Sequence, residues 1–566
     1  MNKAIIQVLV LTLLLSATST AQKNTVPGQF KNSRILETVD DEYIPVSRKS
    51  MKTSEAYRYG SVYVTTVQVN VNEEGENMLG DAANEPSIAF DPTDHNNMVI
   101  GWRQFDTIAS NFRQAGYGYT SDGGLTWTFP GTIEPGVFRS DPVLDSDKWG
   151  NFYFNSLSLD SSGLMSKVFL SGNQGTEWDE GTFAQGGDKP WMSIDKTDGP
   201  GSGNIYNYWN ASTICPPHNF TRSTNGNLSY EDCSSILGDP GWGTTAINAQ
   251  GKLFVAGSQD TNFVVARSSN AQYPGQVVTW DLAVPVYLDG SMKVFAGYES
   301  PNPLGLLGQA VIAIDSSGTE TDGNIYLMCS VDRHSNSDPG DVMFSRSTDE
   351  GETWSDPVQV NDDQGYNAWQ WFGTMSVAPN GRIDAIWLDT RGHPGTVISE
   401  LYYSYSLNGG VTWSINESIS ESFDPHVGWP DQNKMGDYFH MFSDSDCAHL
   451  AWAATFNGEQ DIYYSHISQV TGIKDDKGTT KRCLAQNFPN PFVDKTSIRY
   501  TVWSRSMTTI ELTDIKGKVI RTLVHRIHSP GSYQIELQSR GLKQGMYYYT
   551  LRSGQLIETR KLIVIK

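Results

Sequence analysis

The stretch Thr120-Ser-Asp-Gly-Gly-Leu-Thr-Trp127 recurs along the chain at a nearly constant interval. Its pattern is Ser or Thr, then Asp or Asn, then Gly, then Trp, each at a fixed offset. The complete copies contain Thr120, Asp122, Gly124, Trp127; Ser171, Asn173, Gly175, Trp178; Ser347, Asp349, Gly351, Trp354; and Ser406, Asn408, Gly410, Trp413. Less complete copies contain Ser223, Asn225, Asn227, Tyr230; and Ser268, Asn270, Trp280.

The chemistry of this tetrad is that of a hairpin turn. The Asp or Asn side chain accepts backbone N–H bonds across the turn, Gly adopts a positive φ, and Trp packs between neighbouring sheets. The closing aromatic residues fall at 127, 178, 230, 280, 354 and 413, near 50 residues apart with one long interval. That period is typical of a four-stranded propeller blade, so we predict an all-β propeller.

A second repeat marks the start of each innermost strand. It is an acid and Pro, or a polar or aromatic equivalent, followed by an apolar strand. The copies begin at Glu85, Asp141, Asp188, Asp239, Gln309, Trp371 and Asp437. These starts predict seven blades, and six remain an alternative because the third or fourth copy could be an insertion.

The seventh copy, residues 436–468, contains only three predicted strands. The alternating segment 61–69 precedes the first copy, and we predict that it supplies the missing outer strand. Such a closure removes an open sheet edge that would otherwise aggregate.

The turn tetrad resembles the Asp-box, or BNR repeat, of sialidase-like propellers. The resemblance implies the propeller fold. It says little about activity, because Asp-boxes lie on the face opposite the active site in sialidases and occur in non-enzymes as well.

The last part of the chain differs in charge and pattern. Residues 485–566 contain 13 Lys and Arg and 5 Asp and Glu, a net charge of +8. Residues 1–484 contain 28 Lys and Arg and 58 Asp and Glu, a net charge of −30. Alternating strands broken by Gly and Asn-Pro turns predict a small C-terminal β-sandwich of a seven-stranded type.

Within that part, Asn487-Phe-Pro-Asn-Pro-Phe492, the Asp514 to Val519 stretch and Gly545-Met-Tyr-Tyr-Tyr549 resemble the type A sorting domain of the type IX secretion system of Bacteroidetes. This resemblance implies export across the outer membrane, with the type IX machinery as partner. It says nothing about a substrate.

The other end of the chain reads as a removed signal peptide. Lys3, a short apolar run and Ser19-Thr-Ala21 give the charged region, hydrophobic region and cleavage site. We therefore expect a secreted or outer-membrane surface protein without a transmembrane segment, and a monomer. The predicted divisions are a signal peptide (1–21), an extended segment (22–54), the propeller (55–468), a linker (469–484) and the sorting domain (485–566).

The formal net charge of −22 argues against nucleic acid or an anionic membrane as a partner. Five cysteines are too few for a disulfide scaffold. Cys215 and Cys233 flank one loop, and we predict a disulfide between them.

The strand starts place acids around the predicted channel mouth. Two interpretations stay open for Glu85, Asp141, Asp188, Asp239 and Asp437. In the first, these acids cap strand starts by accepting hydrogen bonds from backbone N–H groups. In the second, they form a ring of carboxylates that binds Ca²⁺, or in which one member stays protonated for acid catalysis. Asp141 and Asp188 are the catalytic candidates, with Glu85 as a substrate contact; no metal ligand set is assigned.

Arginines follow three second strands, at Arg103, Arg333 and Arg391. Sialidases hold a sialic acid carboxylate with three arginines, so these are candidate substrate-binding residues. Salt bridges between blades are the alternative. Trp191 and Trp371 are candidates for stacking on a sugar, or they fill gaps between blades.

The sequence departs from catalytic sialidases at a decisive position. Their Phe- or Tyr-Arg-Ile-Pro motif is absent, and Asn84-Glu-Pro-Ser-Ile88 stands in its place. The Tyr nucleophile of that family has no motif here, and Tyr438 is the tyrosine selected for testing, against a structural role at the core edge.

Three function classes remain. The first is a glycan-active protein of the sialidase superfamily, an exo-α-sialidase-like glycosidase. The second is a non-catalytic glycan- or protein-binding propeller, and the third is a propeller polysaccharide lyase that uses Tyr with His334, His393 or His426.

Overall fold

The computed structural model describes residue 37 and residues 41–468 and 484–565, apart from positions 62, 162, 260, 364, 366, 485, 486, 488, 503–505, 515, 517, 529, 530, 554 and 555. The predicted signal peptide and most of the predicted linker lie outside the described residues. No helix in the described part is long and apolar enough to span a membrane.

The chain begins with short strands that join later parts of the structure. After a 3-10 turn at Arg48–Ser50 come β1 (Lys52–Ser54), β2 (Arg58–Gly60), β3 (Val64–Gln68) and β4 (Asn77–Leu79). β1 pairs with β4, whereas β2 and β3 join a sheet formed by the last strands before residue 468.

The first two sheets are four-stranded antiparallel meanders. The first contains β5 (Ala82–Asp91), β6 (Asp94–Phe105), β7 (Gln114–Thr120) and β8 (Thr128–Ile133). The second contains β9 (Ser140–Ser146), β10 (Phe152–Asp160), β11 (Gly163–Ser171) and β12 (Thr182–Phe183).

The third sheet has three strands, β13 (Trp191–Ile194), β14 (Ile205–Tyr208) and β15 (Phe220–Ser223). The outer position that a fourth strand would take holds only a bridge between Phe220 and Ser234. This segment is fastened to the rest of its sheet by the disulfide between Cys215 and Cys233.

The fourth and fifth sheets flank the long interval of the repeat. The fourth contains β16 (Thr245–Ile247), β17 (Leu253–Gln259), β18 (Asn262–Ser268) and β19 (Leu282–Val286). The fifth contains β20 (Gly290–Ser291), β21 (Val311–Ile314), β22 (Ile325–Arg333), β23 (Asp341–Ser347) and β24 (Val358–Gln359). The interval is long because the chain between β19 and β21 adds β20 and a loop.

The sixth sheet contains β25 (Gln370–Val377), β26 (Ile383–Asp389), β27 (Glu400–Ser406) and β28 (Glu417–Ser418). The seventh contains β29 (His440–Ser443), β30 (Cys447–Ala454) and β31 (Asp461–Ser468), extended by β3 and β2. β3 pairs antiparallel with β31, from Val64 opposite Ile467 to Gln68 opposite Tyr463. This is the pairing expected of the segment 61–69.

Neighbouring sheets meet through their inner strands; the inner strand is β21 in the fifth sheet and the first strand in every other sheet. β5 contacts β9, β9 contacts β13, β13 contacts β16, β16 contacts β21, β21 contacts β25, β25 contacts β29, and β29 contacts β5. The core lies between these sheets; its largest cluster joins the sixth, seventh and first, with Trp371, Trp452 and Trp102 fully buried.

The turn tetrads share one hydrogen-bond pattern. In five turns the first hydroxyl accepts an N–H from the residue four positions on, at 2.9–3.2 Å. The Asp or Asn Oδ1 accepts the N–H of the residue before the aromatic one, as from Thr126 to Asp122 at 3.0 Å and from Thr412 to Asn408 at 3.0 Å. Each tetrad thus closes a hairpin between the third and fourth strands of its sheet or at the equivalent place.

The tetrads also fasten adjacent sheets together. Trp178 of the second sheet lies edge-on to Tyr117 of the first, with ring centroids 5.8 Å apart. Trp413 of the sixth lies edge-on to Phe344 of the fifth at 5.2 Å. The tetrad glycines pack equally closely, because a Cβ at Gly410 would overlap the Phe344 ring.

The C-terminal part forms two sheets around a separate core. β32 (Lys495–Val502) pairs with β35 (Gly531–Gln538), and the other sheet has the order β34 (Val519–His528), β33 (Ser506–Thr513), β36 (Gly545–Ser553), β37 (Leu556–Val564). The described residues thus give six strands rather than a seven-stranded type, because Leu484 and Phe492 form only isolated bridges.

The glycine packing gives a direct test of the tetrad. Gly410 has φ +77° and faces Phe344, whereas Gly226 has φ +71° and nothing within 4 Å. Gly410→Ala adds steric overlap to backbone strain, so we expect a loss of roughly 2–4 kcal/mol in the free energy of unfolding, against about 1–2 kcal/mol for Gly226→Ala. Urea unfolding followed by tryptophan fluorescence measures both; equal losses would show that the inter-sheet contact contributes nothing.

Candidate functional site at the inner strand starts

Two inner strands carry a β-bulge at the place where the acid-Pro repeat stands. The register of β5 shifts between Asn84 and Ser87, and that of β9 shifts across Asp141. Glu85 has φ 55° and Asp141 has φ 49°, which is rare for residues other than Gly. The following prolines donate no N–H, so the ladder is interrupted and the acidic side chain leaves the regular alternation of the strand.

Lys189 is the point where these strands meet. It stands before Pro190 with φ 55°, in the same place of the repeat as Glu85 and Asp141. Its Nζ lies 2.9 Å from Asp141 Oδ1, 2.6 Å from Asp437 Oδ2 and 3.3 Å from Glu85 Oε1. One buried ammonium therefore binds carboxylates from the first, second and seventh sheets.

Further charged side chains surround this ammonium. Lys434 Nζ lies 2.8 Å from Asp437 Oδ2, and Arg103 Nε lies 3.0 Å from Glu85 Oε2. Arg113 pairs with Glu37 of the N-terminal segment. We call the whole group the central cluster: Glu37, Glu85, Arg103, Arg113, Asp141, Asp188, Lys189, Lys434 and Asp437, all of them buried.

The carboxyl groups of the central cluster differ in pKa. Burial raises the pKa of Glu85 to about 8, against the opposing effect of Arg103 and Lys189. Burial would also raise the pKa of Asp437, but Lys189 and Lys434 hold it well below its ordinary value. Burial would lower the pKa of Lys189, yet Asp141, Asp437 and Glu85 raise it well above the ordinary value. Near neutral pH the cluster therefore contains a charged Lys189 beside ionised Asp437 and a largely protonated Glu85.

Three of the carboxylates approach closely enough to hold a metal ion. Oxygens of Glu37, Asp141 and Asp188 lie within 4.8 Å of one another. Ca²⁺ prefers about six to eight oxygen ligands, however, and Lys189 and Arg113 already neutralise Asp141 and Glu37. These residues do not fit the Ca²⁺ site that the sequence allowed.

The predicted acid ring is only partly assembled. Glu85, Asp141, Asp188 and Asp437 belong to the central cluster, but Asp239 is exposed, and its Oδ1 accepts an N–H from Asn219 at 3.2 Å. Glu85, Asp141 and Asp437 bind cationic side chains, and all four assembled acids are buried, which corrects the expectation of carboxylates facing a channel.

The three candidate arginines do not come together. Arg333 binds Asp289 and Asp341, with Nε 2.8 Å from Asp289 Oδ2. Arg391 binds Asp389 and, through Nη1 at 2.6 Å, Asp362 of the fifth sheet. The partners of Arg333 belong to or adjoin its own sheet, whereas Arg391 also reaches Asp362, which follows the last strand of the preceding sheet. The salt bridge between blades that the sequence left as the alternative therefore describes Arg391 but not Arg333, and the two are not parts of a common carboxylate clamp.

Arg103 differs from those two arginines. It belongs to the central cluster, where its Nε also donates to Asn84 Oδ1 at 2.9 Å. Its Nη1 and Nη2 have no hydrogen-bond partner among the described residues. Of the three, it alone retains unused donor groups.

The aromatic candidates are packed rather than presented to solvent. Tyr438 is buried, and its hydroxyl donates to the carbonyl of Pro142 at 2.8 Å. Trp191 is buried edge-on against Tyr438 and His440. Trp371 is fully buried and donates to Ser399 Oγ at 3.1 Å. Trp191 and Trp371 therefore offer no open ring face to a sugar, which corrects that prediction. Tyr438, the tyrosine selected as a nucleophile, occupies a buried packing position, the structural role that the sequence left as its alternative.

The histidines proposed for a lyase occupy separate places. His334 binds Ser291 Oγ, His393 lies 3.6 Å from Glu400, and His426 binds the carbonyl of Ser300. None of these contacts involves Tyr438, whose hydroxyl binds Pro142.

Sequence reasoning selected Arg103 but missed the other basic residues of the cluster, Arg113, Lys189 and Lys434, and it missed Glu37. Lys189 could have been found, because aligning the X-Pro step of Glu85-Pro86 and Asp141-Pro142 with the third copy selects Lys189 rather than Asp188. Arg113 and Lys434 lie in loops outside any repeat, and no sequence signal marks them.

The different protonation states of Glu85 and Asp437 predict different effects of Glu85→Gln and Asp437→Asn on the free energy of unfolding. The folded pKa of Glu85, about 8, exceeds its unfolded value of 4.5, so the stability that this group contributes below pH 4.5 is lost as the pH rises toward 8. Glu85→Gln should therefore be tolerated and should reduce the fall in stability between about pH 5 and pH 8.

Asp437→Asn should instead cost roughly 3–5 kcal/mol at neutral pH, because it leaves Lys189 and Lys434 without their shared anion. Urea unfolding at several pH values compares the two. A large loss for Glu85→Gln with none for Asp437→Asn would contradict the assignment of charges.

Comparison with known proteins identifies the C-terminal part. Residues 486–566 match the family model of the secretion system C-terminal sorting domain. No curated protein matches the chain.

Several solved structures share a distant likeness. A protein of unknown function from Dyadobacter fermentans is 13% identical, with 73% of this chain and 99% of that chain covered, at a TM-score of 0.41. An α-L-arabinanase of Penicillium chrysogenum, solved with arabinobiose, is 12% identical, with 73% of this chain and 99% of that chain covered, at a TM-score of 0.37. Trypanosoma rangeli sialidase is 11% identical, with 89% of each chain covered, at a TM-score of 0.32. At these TM-scores the likenesses carry no inference about activity.

The sorting domain indicates where the protein is located. A C-terminal type IX sorting domain indicates export, so the protein is secreted or held at the cell surface.

Proposed function

We propose that residues 55–468 form one closed seven-bladed propeller. The support is the succession of seven sheets among the described residues, the chain of contacts from β5 through β29 back to β5, and the pairing of β3 with β31. A six-bladed arrangement would require one of these sheets to be an insertion, yet each contacts the next through its inner strand.

We further propose that this propeller is an exported, non-catalytic glycan-binding protein. The observation that carries the proposal is the state of the acids. Glycoside hydrolysis needs a carboxyl group that protonates the leaving oxygen and a second that attacks or activates water, both facing the sugar. Here Glu85, Asp141 and Asp437 are buried and share the ammonium of Lys189.

Exposed rings favour a glycan over an unspecified ligand. The chain between β19 and β21 presents Tyr298, 70% exposed, with Tyr287 and Phe295 also exposed. Sugars pack their apolar faces on such rings, and a phenol adds a hydrogen-bonding group at the edge.

A glycosidase is the second candidate, and one observation favours it. The pKa of Glu85 is raised while that of Asp141 is lowered, because burial outweighs the cations at Glu85 whereas Lys189 outweighs burial at Asp141. Two carboxyl groups with divergent pKa values can serve as an acid and a base. The unused Nη groups of Arg103 could then contact a substrate, if the cluster opened to solvent.

Activity and binding assays on the full chain separate the two candidates. We expect binding on a glycan array and no hydrolysis of fluorogenic sialic acid or arabinofuranose glycosides, because no carboxyl group of the cluster reaches solvent. Turnover that is abolished in Glu85→Gln and Asp141→Asn, but retained in the exposed control Asp239→Asn, would establish the glycosidase. Neither binding nor turnover would reject both candidates.

A further inference from the structure

Two cavities lie between the outer strands of adjacent sheets, away from the central cluster. Outer groove 1, between the first and second sheets, has a volume of about 730 Å³ and is lined by Tyr117, Ile133, Glu134, Lys167, Trp178 and Glu180 among others. Outer groove 2, between the fifth and sixth sheets, has about 430 Å³ and is lined by Val360, Asp362, Asp363, Thr412, Trp413 and Ile415 among others. Both volumes fall within the range of about 300–1,000 Å³ typical of ligand sites.

The two grooves occupy the same place in the repeat. One wall follows the outer strand of a sheet, β8 or β24, and the other holds the tetrad tryptophan of the next sheet, Trp178 or Trp413. Beside each groove a guanidinium lies over a ring of the later sheet, Arg139 over Phe169 at 4.7 Å and Arg391 over Tyr402 at 4.5 Å.

An ion pair fixes the acid at each groove. Arg139 binds Glu134, which also accepts Lys167 Nζ at 2.8 Å. Arg391 binds Asp362 at 2.6 Å. In both grooves the acid follows the outer strand of the earlier sheet, Glu134 after β8 and Asp362 after β24. The arginines come from different positions, Arg139 just before a first strand and Arg391 just after a second strand, yet each holds a carboxylate of a groove that an indole also lines.

The lining of each groove suits a sugar. Indole and aliphatic side chains offer an apolar surface, and carboxylates accept hydrogen bonds from hydroxyl groups. Groove 1 is lined by the acids Glu134, Asp179 and Glu180, of which Lys167 and Arg139 neutralise part of the charge. Groove 2 is lined by Asp362 and Asp363, which share Arg391. Each groove thus keeps a small excess of negative charge, which disfavours a carboxylated or sulfated sugar.

We propose that the outer grooves bind neutral sugar units of an oligosaccharide. The inference rests on the proposed glycan-binding function and names its sites and its class of ligand. It places recognition on the outer surface between sheets, and it excludes acidic sugars such as sialic acid as the preferred ligand.

The chain offers matched variants. Trp178→Ala and Trp413→Ala remove the indoles of the two grooves, and Trp354→Ala removes the equivalent tetrad residue of the fifth sheet, which lines neither groove. Glu180→Ala and Ile415→Asp change the lining at exposed positions, Ile415 being 81% exposed, so they leave the packing of the sheets intact.

The experiment uses the full chain on an array of neutral, amino-containing and acidic oligosaccharides, followed by titration calorimetry with the neutral oligosaccharide that binds best. We expect each single-groove variant to lose one of two sites, and combined changes in both grooves to weaken binding by about tenfold or more. Trp354→Ala should keep the parent affinity within about twofold, at a similar cost in stability.

Each result decides between distinct conclusions. Neutral-sugar binding that persists after Glu180→Ala and Ile415→Asp are combined with the two tryptophan changes would overturn the groove assignment and leave the glycan-binding function standing. Preference for acidic or amino sugars would overturn the proposed ligand class. Absence of any binding by the parent chain would overturn both the inference and the proposed function.

Discussion

The ammonium of Lys189 is the interaction on which the arrangement of the sheets depends. It binds Glu85, Asp141 and Asp437, which begin or precede inner strands of the first, second and seventh sheets. A charge this deeply buried is costly unless it is paired, so the position of Lys189 fixes the positions of these carboxylates, and Glu37 lies near it as well, at 3.9 Å. The bulges at Glu85 and Asp141 are the local strain that this pairing offsets.

The same interaction shapes the functional conclusion. A catalytic centre needs charged groups that meet the substrate, whereas here the charges neutralise one another below the surface. The outward-facing parts are the exposed rings after β19 and the two outer grooves, which arise where tetrad tryptophans bridge sheets. Export by the C-terminal sorting domain brings these surfaces to the cell exterior or the medium.

Local patterns in the sequence predicted the parts that depend on local physics. The tetrad hydrogen bonds follow from a Ser or Thr, an Asp or Asn and a Gly at fixed offsets, and the pairing of β3 with β31 follows from one unpartnered alternating segment. The disulfide between Cys215 and Cys233 follows from proximity in the chain. The sequence did not predict the ion-pair partners, because residues distant in the chain supply them. Asp141 and Arg391 were candidate site residues, but Lys189, just before β13, and Asp362, after β24, bind them in ion pairs.

The most direct test of this account is the free energy of unfolding of Lys189→Met, a variant of similar side-chain length without the charge, measured at neutral pH beside a fluorogenic glycoside assay. We expect a loss of roughly 3–5 kcal/mol, because two ionised carboxylates and Glu85 lose their common partner, and no gain of hydrolysis. Unchanged stability would show that the cluster does not hold the sheets together. The appearance of glycosidase activity once the ammonium is removed would show that its acids are a masked catalytic site.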